Sequence, residues 1–154
     1  MTATDRAGQR SWDWHWYGVA GPASVVVPAV FLRALRLAQW QVSHPVIVPD
    51  DGSPGGGNMG SVVAVPILGL ALLAGLVIPV LWGAAAVRAR TGRTVGTLPT
   101  ITIVLQGVGL LFAFAAARAL PHGLPWGAAL VASGLLAVAA VRVPRRPGRT
   151  AAVQ

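Results

Sequence analysis

Apolar and polar residues along this chain do not alternate; they separate into blocks. From Gly60 to Val87 no side chain is ionisable, and the basic cluster RARTGR follows at once. As a helix, such a run covers roughly 40 Å at 1.5 Å per residue, more than a hydrocarbon core of about 30 Å requires. It therefore reads as a membrane span. Three further blocks are expected to behave alike, so that the four spans fall at about 20–41, 60–87, 97–120 and 125–143. The first is the least regular, with Pro22 and Pro28 inside it and Arg33 and Arg36 interrupting its outer half. A helix that starts near Pro22, where a first-turn proline is tolerated, still has enough length to cross. A signal peptide fits this segment poorly, because Asp5, Asp13 and three Trp precede it and no small-x-small site follows. The expected fold is all-α: a polytopic integral membrane protein whose four transmembrane helices form a small bundle.

The segments between the blocks carry different chemistry. Residues 1–16 form a polar N-terminal segment that ends in interfacial aromatics. In WDWHWYG, the strict alternation of Trp12, Trp14 and Trp16 does not make one helical face, so an extended or irregular stretch at headgroup level is expected. Trp40 and Trp126 are placed as anchors at the opposite interface. An aromatic cage or a ligand site at His15 is the sharper alternative, and no second ligand lies nearby in the sequence. Gln41 to Asn58 is loop chemistry, rich in Pro and Gly with no periodicity. Its GSPGGGN lacks the lysine and the strand-to-helix context of a phosphate loop. PHGLP forms a tight turn between spans three and four, and residues 144–154 form a basic tail that Pro144 and Pro147 keep from extending the last helix.

Charge changes the picture by giving it a direction. The chain of 154 residues has 12 Arg and no Lys, against four Asp and no Glu, for a net charge of +8. In a soluble protein that excess would suggest nucleic acid, but here most arginines flank spans, and no nucleic-acid partner is expected. With the N-terminus inside, Arg6, Arg10, Arg88, Arg90, Arg93, Arg142, Arg145, Arg146 and Arg149 lie in the cytoplasm and only Arg33, Arg36 and Arg118 lie toward the outside. That distribution follows the positive-inside rule, with both termini cytoplasmic in a cell membrane. If the first block did not span, the N-terminus would move outside with four arginines, a worse distribution.

Small residues recur within the spans. Ala71, Gly75, Pro79 and Gly83 fall at every fourth position, and Gly109, Ala113 and Ala117 repeat the device in span three, as Ala129, Ser133 and Ala137 do in span four. Such stripes let helices approach closely, either within one bundle or between proteins. Arg33-Ala34-Leu35 recurs as Arg118-Ala119-Leu120, and spans two and four both end in Ala-Val-Arg, a faint echo of a two-helix repeat.

Candidate chemistry is sparse. Without Cys there are no disulfides, thiolate metal sites or cysteine nucleophiles. All four Asp lie in aqueous segments, which leaves a catalytic centre without its usual groups, and no enzyme activity, cofactor or metal is expected. His44 and His122 share the outer side but have no carboxylate at defined spacing. No span carries the Asp, Glu or His that coupled transport ordinarily uses. The expected role is a non-catalytic accessory, assembly or regulatory subunit in the lipid bilayer, packed against itself or a larger membrane partner. The alternative is a facilitator of a small or anionic solute, using Gln106, Thr100, Thr102 and the outer arginines. Arg33, Arg36 and Arg118 are the candidate residues for an anion or a lipid headgroup, with pairing to Asp50 and Asp51 as the competing account.

Overall fold

A computed structural model describes residues 3–44 and 57–142, giving only the backbone for 3–13 and 57–59. It contains five helices: α1 (Ala3–Ser24), α2 (Val26–Ser43), α3 (Gly57–Arg90), α4 (Leu98–Arg118) and α5 (Gly123–Arg142). Four units are long and apolar enough to cross a membrane: Trp14–Ser43, which joins α1 to α2, then Gly60–Arg90, Leu98–Arg118 and Gly123–Arg142. The protein is an all-α bundle of four membrane-spanning helices, with no strand among the described residues. Asp50, Asp51, the tail 144–154 and the side chain of Trp12 lie outside what is described.

The WDWHWYG segment is helical, not extended or irregular. In a helix Tyr17, Ala20, Gly21 and Ser24 share one face by their 3.6-residue period, and all four are buried. Trp14 and Trp16, on other sides of the turn, are half-buried and pack against the core from its flanks. Alternating Trp residues argue against one apolar face only when the other faces meet water, and here core and interface surround the helix.

The join between α1 and α2 is a local break with identifiable causes. Pro28 has no N–H for the Ser24 carbonyl, and its ring crowds that carbonyl, which loosens the turn above it. The Val25 N–H then donates to the Pro22 carbonyl at 3.1 Å, a tighter three-residue bond. That leaves the Gly21 carbonyl without its usual α-helical donor, and the buried Ser24 hydroxyl donates to it at 2.7 Å instead. The first crossing unit is thus two helices in series, repaired by one serine.

α3 carries the buried seam of the bundle. Gly75, Ile78, Trp82, Ala85 and Ala89 are buried, at alternating steps of three and four that keep one face turned toward its neighbours. Helices α1 and α2 both lie along it. A Cβ at Gly75 would meet Pro28 and Phe31 of α2 at 3.5 Å, and one at Gly21 would meet Trp82 at 3.6 Å. At its far end α3 stops in a Schellman motif. Gly92 takes φ +70°, while the Arg93 and Gly92 N–H groups donate to the Arg88 and Ala89 carbonyls at 2.9 and 3.3 Å. The Arg90 guanidinium lies over the Trp14 ring at 5.7 Å, closing the start of the first unit onto the end of the second.

The two hairpins differ in height. A Cβ at Gly109 of α4 would meet Ile78 at 3.2 Å and Val27 at 3.3 Å, which fixes a common level for α2, α3 and α4. From that level to the end away from the Arg88–Arg93 cluster, α2 continues for about 24 Å to Ser43, whereas α4 continues for only about 14 Å to Arg118. The α2–α3 hairpin therefore rises roughly 10 Å above the α4–α5 turn. Gln41 accepts a 2.8 Å hydrogen bond from Ser61 near the top, tying the two taller helices together.

Candidate functional site

Two places in the bundle gather polar or charged side chains. The first lies below the common level, toward the arginine-rich end, where α3, α4 and α5 meet. The Trp82 indole N–H donates to Gln106 Oε1 at 2.7 Å. Gln106 Nε2 in turn donates to the Ser133 hydroxyl at 2.9 Å and to its carbonyl at 3.2 Å. Trp82, Gln106 and Ser133 are all buried, and Tyr17 of α1 stacks on the indole with ring centroids 5.9 Å apart. One amide thus ties three helices together while an aromatic contact brings in a fourth. Thr102, one turn before Gln106, is also buried and returns its hydroxyl to the Leu98 carbonyl at 2.8 Å. Among the described residues no buried side-chain nitrogen or oxygen lacks a partner.

The second place is the step between the hairpins. A recess of about 290 Å³ is lined by Arg33, Arg36, Leu37 and Trp40 on the wall of α2, and by Leu120 and Pro121 of the α4–α5 turn on its floor. Both arginines are exposed. Arg118 is also exposed but does not line the recess, so the structure joins two of the three candidate arginines there and not the third. Pairing of these arginines with Asp50 and Asp51 falls outside the described residues. Trp40 is 57% exposed and stacks on His44, whose ring closes the C-terminus of α2 against the Trp40 carbonyl.

The remaining candidate residues are distributed as follows. Ala113 and Ala117 are fully packed in the core, and Ala71 is partly buried against it. Gly75 and Gly109 make the close approaches described above, whereas Gly83 is exposed, and a Cβ there would meet nothing within 4 Å. Ala71, Gly75 and Gly109 also border a groove of about 380 Å³ between α2, α3 and α4, lined entirely by apolar residues. Trp126 is half-buried against the core, and Thr100 is exposed. Groups of three or more His, Cys, Asp or Glu able to hold a metal are absent among the described residues.

Sequence reading singled out Gln106 as the amide inside a span but did not assign its partners. The signal was present in Trp82, an indole deep in an uncharged span whose N–H needs an acceptor. Pairing the two across helices requires knowing which faces meet, and α3 is apolar on every face. Comparison of the chain with protein-family models, with curated proteins and with solved structures found no match.

Proposed function

We propose that this chain is a non-catalytic integral membrane protein, an accessory, assembly or regulatory subunit that packs against itself or a larger membrane partner. The observation that carries the reading is how its buried polar groups are used. Gln106 spends its acceptor on Trp82 and its amide hydrogens on Ser133, so the polar chemistry inside the bundle holds helices together. The outer faces are apolar over long stretches, with Val62, Val63, Leu70, Leu73, Leu111 and Leu135 more than half exposed. Such faces suit lipid or another apolar helix. We place the protein in a cell membrane with both termini in the cytoplasm, on the distribution of its arginines.

Facilitated movement of a small or anionic solute is the competing reading, favoured by the paired arginines of the step. It loses Gln106 as a free ligand, because that amide is already engaged. Two measurements separate the readings. Cross-linking in native membranes should capture a discrete homo-oligomer or one recurring membrane partner, and purified protein in vesicles should leave anion flux at the protein-free rate. Anion flux above that rate, without a recurring cross-linked species, would overturn the subunit reading.

A further inference from the structure

The step between the hairpins has chemistry that a simple height difference does not require. Arg33 and Arg36 are three residues apart on α2, which sets their Cβ atoms about 5–6 Å from one another. Both side chains line one recess whose other walls, Leu37, Trp40, Leu120 and Pro121, are apolar or aromatic. The side chains of all four Asp lie outside what is described, and the spans themselves contain no acidic residue.

The level of the recess decides what can enter it. Counted along α2 from Val27, Arg33 lies about 9 Å and Arg36 about 14 Å above the level shared with Gly109. Gly109 lies near the middle of α4; with the bilayer centre at its level, half a hydrocarbon core of about 15 Å reaches the α4–α5 turn and puts the arginines at and just beneath the boundary. Cations at that depth attract headgroup phosphate, and a guanidinium binds it through two parallel N–H donors. Trp40, one turn above Arg36, has the amphipathic ring favoured beside headgroups.

We propose that the step is a binding site for the phosphate of an anionic phospholipid in the outer leaflet, held by Arg33 and Arg36. Leu37, Leu120 and Pro121 pack against its glycerol backbone and first methylenes. A lipid suits the site better than a soluble anion because the walls are apolar and the recess opens at the height of the acyl-chain boundary. The site stands independently of whether the chain has a protein partner.

The test uses the full chain in detergent, with dioleoylphosphatidylglycerol or dioleoylphosphatidylcholine added, read by native mass spectrometry. Wild type should retain one copy of the glycerol lipid in preference to the choline lipid, and excess inorganic phosphate should not displace it. Arg33→Gln and Arg36→Gln should each reduce retention on the order of tenfold, the equivalent of losing one charge-assisted hydrogen bond. Arg118→Gln, outside the recess, should retain lipid as wild type does. Pro121→Trp keeps both arginines and fills the floor, so it should also lose lipid; this keeps the proposal testable if the arginine variants do not fold. Equal retention of the two lipids, displacement by inorganic phosphate, or full retention in folded arginine variants or in Pro121→Trp would each overturn the assignment.

Discussion

Gln106 is the residue on which most of the bundle's polar order depends. Replacing it with Leu would leave the Trp82 N–H and the Ser133 hydroxyl facing apolar surroundings. Interhelical hydrogen bonds in membranes average about 0.6 kcal/mol and reach about 2, so we expect Gln106→Leu to destabilise by about 1–2 kcal/mol, since it breaks several at once. Ser133→Ala should cost less, because the Ser133 carbonyl still accepts from the amide. Reversible unfolding in mixed micelles, with Trp82→Phe, Gln106→Leu and the double variant, would measure the coupling. Additivity within about 0.3 kcal/mol would mean that the indole–amide bond contributes nothing.

Among the helices, α3 shows how a small-residue stripe can mislead. Positions spaced by four drift about 40° per step around a helix of 3.6 residues per turn, so Gly83 lies about 80° from Gly75. Trp82, seven residues from Gly75, returns to within about 20° of it and is buried, whereas Gly83 is exposed. Gly75→Ala should be tolerated, since a Cβ there meets ordinary contact distances, whereas Gly75→Leu would force α3 away from the Pro28 backbone. We expect the leucine variant to lose about 2 kcal/mol or more of stability through overpacking, and Gly83→Leu to lose almost none. Thermal or denaturant midpoints of the three variants check this, and equal midpoints for Gly75→Leu and Gly83→Leu would contradict it. The four blocks were legible because scarcity of charge over a span's length needs no neighbour to interpret. The break at Val25 was not legible: Pro22 reads as the start of a helix but lies inside α1, and the Ser24 repair depends on which carbonyl is orphaned. The helical run through Trp14 and Trp16 was hidden, since its pattern makes sense only beside Tyr17, Trp82 and Arg90. Of the step, the sequence named its arginines; that Leu120 and Pro121 lie beside them follows from hairpin heights, which no single span encodes.

For the molecule as a whole, orientation follows from where arginines gather. Reporter fusions after Gly92 and Gln154 should read cytoplasmic, and fusions at Gly56 and His122 should read external; an external reading at Gln154 would refute four crossings from an inside N-terminus. The structure agrees with an even pairing of ends, since Arg90 covers Trp14 at one end and Leu120 lines a recess with Leu37 at the other. That pairing also sets an order of events during synthesis. Trp82 precedes Gln106 by 24 residues, so the glutamine finds its acceptor role filled by a helix already made. Its two amide hydrogens have no such luck: Ser133 follows 27 residues later. At about 5–20 residues per second, Ser133 is synthesised roughly one to five seconds after the amide it pairs with. The fourth crossing helix is thus the piece that completes the polar contact, and a chain that ended before Ser133 would leave the Gln106 amide hydrogens without the partner the bundle gives them.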